Sequence, residues 1–374
     1  MAAFVVLATT IWGGAARAQS WIDTELRAAP QLTQYHFGSP TSETVSQLAV
    51  PIFVTVPIDE RFTVDVGTSF ASTRVTSSVG TSAITGLTDT QVRGNLALGT
   101  DFVVLTLGLN LPTGRSTVSL DQFRAAGLIG NDFLGFPISS MGTGLAVTAG
   151  AAVARPVGDW NLGAGASMRH STAYEPFDVP DQSMRFQPGN EYRIRVGADR
   201  PVGAGRVAVG LTYSAFGKDE AFGSVYNTGN RVITQALYSN SLANHDVTFA
   251  AYNVFRGRGM YATGDAAGRE NLADLFASMA FDAGGRRVEP SVEVRHWLQN
   301  VLGSGTTADR TQSSVLTTFG VRTHADVADV RITPSVGYTF GALATADTAG
   351  VPARATLTGF RLQVAARFVP FVGR

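Results

Sequence analysis

Charged side chains recur at every second position in several segments of this chain, and this spacing is the first feature that could carry chemistry. In segment 192–200, Arg193 and Arg195 alternate with Ile194 and Val196. A period of two places alternate side chains on opposite faces of a β-strand. If such strands close into a barrel, the charged face would surround a lumen, where it could set ion selectivity and focus the electric field.

The candidate lumen residues carry both signs of charge. They are Asp65, Asp89, Arg93, Arg169, Glu191, Arg193, Arg195, Glu293, Arg295, Arg331 and Arg361. Because the signs are mixed and the formal net charge of the chain is zero, they predict no strong ion selectivity. Two interpretations stay open: the charges line a water-filled pore, or they form compensating ladders inside a barrel too narrow to conduct.

The sequence offers little for catalysis, cofactor binding or metal binding. It contains no cysteine, which excludes disulfides, zinc–thiolate sites and thiol nucleophiles. The five histidines lack metal-ligand spacing, and neither a Gly-x-Ser-x-Gly motif nor a P-loop occurs. We therefore expect no enzyme, cofactor or metal site. Zero net charge also argues against a nucleic-acid partner, whose binding surface is normally basic.

The elements that must position the charges are β-strands. The same alternation is found in 62–70, 160–169, 192–200, 330–340 and 360–368. Short turns are interleaved with longer loops rich in Gly, Ser, Thr and Asp, and the longer loops include 38–43, 76–86, 113–140, 174–188, 218–229 and 257–269. Seven short turns and eight longer loops predict sixteen strands. Fourteen is the alternative, because 231–240 and 247–255 alternate poorly.

The N-terminus has the pattern of a signal peptide over residues 1–18. An apolar run from Phe4 to Ile11 precedes the small residues Ala16 and Ala18. The remaining residues, 19–374, are expected to form one domain. An export signal, an even strand count, short periplasmic turns and long extracellular loops are together typical of an all-β, antiparallel outer-membrane barrel. Such a barrel pairs every backbone group where lipid offers no water. A soluble β-sandwich or jelly roll is the alternative.

Segment 113–140 is far longer than a connection requires. Its candidate ligand or constriction residues are Leu120, Phe123, Leu128, Phe133 and Phe136. Ser119 and Gln122 have the spacing of a capping box, and they predict a short helix that ends at Gly127. Because exposing this apolar segment to water would cost free energy, we expect it to fold into the lumen as a constriction, or to cover a site for an apolar ligand. Packing on its neighbours without a transport role is the alternative.

Two segments resemble a known family. Gly86-Leu87-Thr88-Asp89-Thr90, followed by Leu111-Pro112-Thr113-Gly114, resembles the Gly-Leu-Gly-Asp-Thr … Leu-Pro-Thr-Gly pattern of outer-membrane proteins linked to meta-pathway phenol degradation. That family is related to the long-chain fatty-acid transporters. Thr88 stands where the family pattern has Gly. The resemblance implies a barrel that passes small hydrophobic molecules.

The sequence therefore predicts an outer-membrane channel for passive passage of small hydrophobic or aromatic molecules. The alternatives are a general diffusion porin and a closed structural or adhesive surface barrel. The expected partners are outer-membrane lipid, the small-molecule solute and the barrel-assembly machinery, which would recognise the C-terminal strand ending near Phe368. The oligomeric state stays open.

Overall fold

The computed structural model describes residues 24–99, 102–242, 245–303, 309–346 and 352–368. The predicted signal peptide, 1–18, lies outside these ranges. Within them, most of the chain is β-strand. We find no helix there with the length and apolar character needed to span a membrane.

Many strands are long, and the longest ones contain 17 residues. In the first half of the chain they are β1 (Glu25–Ala28), β2 (Gln31–Phe37), β3 (Glu43–Pro57), β4 (Phe62–Ser77), β5 (Gly80–Leu87), β6 (Thr90–Leu98), β7 (Val103–Leu111), β8 (Val118–Ser119), β9 (Ala146–Val157), β10 (Trp160–Ser171), β11 (Phe177–Asp178), β12 (Phe186–Gln187) and β13 (Glu191–Val202). In the second half they are β14 (Gly205–Phe216), β15 (Lys218–Ala221), β16 (Ser224–Asn227), β17 (Arg231–Leu242), β18 (His245–Arg256), β19 (Gly259–Tyr261), β20 (Gly264–Ala267), β21 (Glu270–Ala283), β22 (Arg286–Val301), β23 (Arg310–Thr323), β24 (Ala325–Val327), β25 (Val330–Ala346) and β26 (Pro352–Phe368).

These strands form a closed antiparallel barrel. Three of its sixteen strands are interrupted, so that β1 continues into β2, β5 into β6 and β23 into β24. The ladder between β2 and β26, in which Tyr35 lies opposite Gly359, closes the sheet. Closure leaves no open edge. The prediction of an all-β, sixteen-stranded antiparallel barrel is confirmed.

The fourteen-strand alternative is wrong. β17 pairs with β18 from Arg231 opposite Arg256 to Leu242 opposite His245, and each strand also pairs with its other neighbour. The polar–apolar alternation is weak here because some inward positions are apolar. Val254, for example, packs against the buried cluster inside the barrel.

The short turns lie at one rim and most of the longer connections at the other. The expectation of a long loop over 76–86 is wrong, because β4 and β5 form a tight hairpin in which Ser77 pairs with Gly80. Gly80 has a φ of 133°, which glycine adopts without steric cost. Two other long connections fold back on themselves as the hairpins β15–β16 and β19–β20, which join β12 in a separate sheet.

The ladder register separates the two faces of the barrel wall. Thr33, Gln47 and Thr73 lie in one row across β2, β3 and β4 and are fully buried inside. Outward positions carry exposed apolar side chains, such as Leu107 and Ile194. An apolar outer belt of this kind suits contact with lipid.

Candidate channel constriction and lumen

The connection between β7 and β9 lies inside the barrel, and we call residues 112–145 the inserted segment. Leu120–Gln122 form a 3₁₀ turn, and Phe123–Ile129 form the helix α1. The backbone N–H of Ser119 donates to Gln122 Oε1 at 3.3 Å, in keeping with the capping-box spacing. The prediction that the helix ends at Gly127 is wrong, because the helix continues to Ile129 and its C-cap is Gly130.

The inserted segment shares a buried cluster with the inner wall. From the segment it contains Ala125, Ile129, Phe133, Leu134, Phe136 and Met141, and from the wall Tyr35, Phe37, Val45, Ala71, Val75, Ile84, Leu272, Leu316 and Leu357. Tyr35 meets Phe136 edge to face with ring centroids 5.4 Å apart, and Trp297 stacks on Phe133 at 5.6 Å. Since Tyr35 and Trp297 lie on β2 and β22, the segment makes contacts with well-separated parts of the wall.

The five apolar residues singled out in the sequence occupy two different environments. Phe133 and Phe136 are buried in the cluster, and Leu128 packs against it. Leu120 and Phe123 are exposed. Only this second pair is accessible to a solute.

Hydrogen bonds from the wall hold the backbone of the inserted segment. Tyr35 Oη donates to the Leu134 carbonyl at 3.0 Å. Gln47 Nε2 donates to the Ile138 carbonyl at 2.8 Å, and the Ile138 N–H donates back to Gln47 Oε1 at 3.1 Å. Buried backbone groups need such partners. Tyr35 and Gln47 were not identified from the sequence; the signal that could have found Tyr35 is that it shares a strand face with the polar residues Gln31 and Thr33.

A compact charged group lies beneath the inserted segment. Arg295 contacts Asp274, with Nε and Oδ2 3.4 Å apart, and also pairs with Glu293. Its Nη1 donates to the Phe133 carbonyl at 2.8 Å. Asp274 and Arg295 are almost fully buried. The sequence placed Glu293 and Arg295 on the polar face but did not identify Asp274, whose own strand alternates weakly.

Asp89 holds the base of the inserted segment. Its Oδ1 accepts from the Gly114 N–H at 3.1 Å, and its Oδ2 accepts from Asn110 Nδ2 at 2.9 Å and the Thr143 N–H at 2.7 Å. The two segments that carry the family resemblance therefore meet in space. Asp89 is buried, so it acts on the segment rather than on a passing solute.

The remaining candidate lumen residues lie at inward register positions. These are Asp65, Arg93, Arg169, Glu191, Arg193, Arg195, Arg331 and Arg361. Arg331 differs from the others because it lies beside the short turn, where it forms a solvent-exposed pair with Asp326. Asp65 accepts hydrogen bonds from Thr55 at 2.9 Å and Asn95 at 3.0 Å.

The lumen is filled on one side and accessible on the other. Inward residues Thr33 and Gln47 have no exposed surface. By contrast, the inward side chains of Arg193 and Arg231, on β13 and β17, are 39% and 33% exposed. Most inward positions between them and β7 are small, as at Gly150 and Gly165, and Arg169 is the large exception. We call the space walled by β7, β9, β10, β13, β14 and β17 the half-lumen, and here exposed inward arginines adjoin small inward residues.

An aromatic patch lies among the long loops. The Phe123 ring contacts Phe177 at a centroid distance of 4.8 Å, and Phe177 lies 5.9 Å from Phe222. Phe222 and the nearby Leu120 are also exposed. Tyr174 lies in the same connection as Phe177, where burial and the nearby negative charge of Asp89 raise its pKa.

The comparisons with known proteins concern the fold. No family model matches the chain, and no curated protein matches it. Among solved structures, it is similar to a bacterial polysaccharide outer membrane secretin (7% identity, covering 94% of this chain and 99% of that one, TM-score 0.46). It is also similar to OpdQ of Pseudomonas aeruginosa (9%, 93% and 99%, 0.44) and to a mutant of the monoaromatic hydrocarbon channel TodX (9%, 93% and 90%, 0.44). At such identities and TM-scores these proteins decide nothing about solute or mechanism.

Proposed function

We propose that this protein is an outer-membrane channel for the passive passage of small hydrophobic or aromatic molecules. The observation that carries the proposal is the divided lumen, in which the inserted segment fills one side of a closed barrel and leaves the half-lumen accessible. The exposed apolar outer wall would contact lipid. β26, whose last described residue is Phe368, would be recognised by the barrel-assembly machinery.

The aromatic patch supports the preference for aromatic solutes. The Phe177 ring lies within 6 Å of the rings of both Phe123 and Phe222, and aromatic contacts of this kind favour flat apolar molecules. A solute would bind at this patch and then move past the inserted segment along the half-lumen. No energy coupling enters the proposal.

Two alternatives fit the same observations less well. A general diffusion porin needs an open eyelet, whereas here the buried cluster fills part of the lumen. A closed surface barrel needs no accessible inward side chains, whereas Arg193 and Arg231 are partly exposed. A channel narrowed by the inserted segment accounts for both the filled part of the lumen and the partly exposed arginines.

The constriction is tested by deleting residues 117–136 and measuring single-channel conductance in a planar bilayer. Because the segment occupies part of the lumen, we expect the deletion to increase conductance by roughly two- to tenfold. Heat-modifiable gel mobility would verify folding, since the deletion uncovers Tyr35, Val45 and Ile84. Unchanged conductance from a folded deletion variant would contradict the constriction.

The aromatic preference is tested by liposome swelling with phenyl glucoside and methyl glucoside, two neutral solutes that differ in the ring. Phenyl glucoside is larger than methyl glucoside, so size alone predicts slower passage. The intact protein should pass phenyl glucoside at a higher rate than this size difference predicts. The double variant Phe123→Ser/Phe222→Ser should lose this preference. Phe102→Ser, which removes an exposed ring from the opposite rim, is the matched control. Equal effects of both variants would argue against capture at the patch.

A further inference from the structure

We infer that the half-lumen selects anions and that the natural solute is a small organic carboxylate with an apolar body. This inference deepens the proposed channel function and rests on it. It follows from which charged side chains are exposed in the lumen and which are buried, since the chain as a whole has a formal net charge of zero.

Most ion pairs of the inner wall share one orientation, with the guanidinium in the lumen and the carboxylate against the wall. Exceptions are the two buried pairs of Arg295 and the pair of Arg287 with Asp246, whose side chains are 34% and 50% exposed. The Arg193 side chain is 39% exposed and that of its partner Glu191 is 12%. Arg206 and Asp199 are 42% and 2% exposed, and Arg322 and Glu289 are 50% and 8%. The pairs formed by Arg231, Arg256 and Arg367 have the same asymmetry. The long arginine side chain reaches past the shorter carboxylate, so a solute meets positive charge first.

Three further arginines add to this surface. Arg93, Arg169 and Arg195 lie at inward positions of β6, β10 and β13. None forms an ion pair among the described residues, although Asp65 lies opposite Arg93 and Glu191 opposite Arg169 in the ladders. Glycine faces two of them across the ladders, since Arg195 lies opposite Gly165 and Arg93 opposite Gly108. Little side-chain volume therefore separates these guanidinium groups from the open space.

Most of the acidic residues that would offset this charge are withdrawn from the half-lumen, and Asp246 at the short-turn rim is an exposed exception. Asp274 and Glu293 are paired with Arg295 beneath the inserted segment, and Asp89 is buried at its base. Glu43 is buried behind Arg124. Because exposed charge governs the potential that a solute meets, the accessible lumen is positive although the chain is neutral.

Arginine on this surface favours carboxylates in particular. A guanidinium presents its donors in a planar fork that matches the two oxygens of a carboxylate. The aromatic patch at the long-loop rim adds a preference for an apolar body. An aromatic or aliphatic monocarboxylate would first contact the aromatic patch with its apolar body, and its carboxylate would then bind the arginines of the half-lumen.

The test is the reversal potential of single channels in a KCl gradient and then in a potassium benzoate gradient. We expect anion selectivity in both salts, and we expect it to weaken in 1 M salt because the lumen charges are screened. Arg169→Gln/Arg195→Gln should reduce the anion-to-cation permeability ratio by at least about threefold. Arg155→Gln is the matched control, because Arg155 lies on the outward face opposite Leu162 and its removal should leave the ratio unchanged.

The outcomes separate the two proposals. A conducting protein with equal anion and cation permeability, at low and at high salt, would overturn the inference and leave the channel intact. The same would follow if Arg155→Gln shifted the ratio as much as the double variant. Inserted protein that passes neither ions nor the glucosides would overturn both. The salt series on the unmodified protein keeps the test decisive even if the double variant fails to fold.

Discussion

Arg295 and Phe133 lie far apart in the chain, yet Arg295 Nη1 donates a hydrogen bond to the Phe133 carbonyl at 2.8 Å. The same guanidinium pairs with Asp274 and Glu293 on the wall. One nearly fully buried side chain thus contacts two carboxylates and also holds the inserted segment in place.

Replacing Arg295 by Gln should destabilise the barrel and loosen the inserted segment. Removing one partner of a buried ion pair leaves uncompensated charge and costs about 3–5 kcal/mol. The free energy of unfolding in urea would measure the loss, and single-channel recordings should become noisier. Arg331→Gln is the control, because its solvent-exposed pair with Asp326 should contribute at most about 1 kcal/mol. Equal effects of the two changes would contradict the assigned role.

Asp89→Ala should release the base of the inserted segment. The change leaves the N–H groups of Gly114 and Thr143 without their acceptor, and a buried donor left in this way costs about 1–3 kcal/mol. The Asn110 amide loses one of its two acceptors and still donates to the Gly144 carbonyl. Limited proteolysis within the segment should accelerate. Asp159→Ala, in an exposed turn, should leave the cleavage rate unchanged, and a similar acceleration there would argue against a specific effect.

Gly114→Ala and Gly127→Ala should have opposite effects. A Cβ on Gly114 would lie 2.2 Å from the Met141 carbonyl oxygen and 2.4 Å from the Asp89 nitrogen. Both atoms belong to the backbone, so the segment must shift. A Cβ on Gly127, in α1, would meet nothing within 4 Å, and alanine there should stabilise by up to about 1 kcal/mol.

Urea unfolding and proteolysis of these two variants would distinguish the cases. Gly114→Ala should unfold at lower urea and become sensitive to protease, whereas Gly127→Ala should resist both at least as well as the parent. A tolerated Gly114→Ala would show that the base of the segment is not tightly packed.

Alkaline pH should destabilise the region around Tyr174. Burial, followed by the negative charge of Asp89, raises the pKa of this phenol above its ordinary value of 10.0. Because the folded state favours the neutral phenol, its contribution is fully present below pH 10.0 and is lost as the pH rises through the folded-state pKa. Absorbance at 295 nm should show a late-titrating tyrosine that is missing in Tyr174→Phe. A titration unchanged by this substitution would contradict the shift.

The barrel could be predicted from the sequence because its wall separates two environments. In segments such as 192–200 and 330–340, residues of the inner face alternate with apolar residues of the outer face. The spacing of the turns between such segments predicts the strand count. Where the lumen is filled by apolar side chains, as at Val254, the alternation fades, and the count becomes ambiguous although the backbone pairing is continuous.

The candidate site was predictable only in part. The sequence indicated that 113–140 is apolar and that Arg193, Arg195 and Arg295 share a face. A period of two assigns a residue to a face but says nothing about its depth or its partner across the lumen. Only the tertiary structure decided that Phe133 meets Arg295, that Asp89 meets Gly114, and that in most ion pairs of the inner wall the carboxylate is more buried than the guanidinium. Those relationships depend on strand register and side-chain length, which act between distant segments once the sheet has closed.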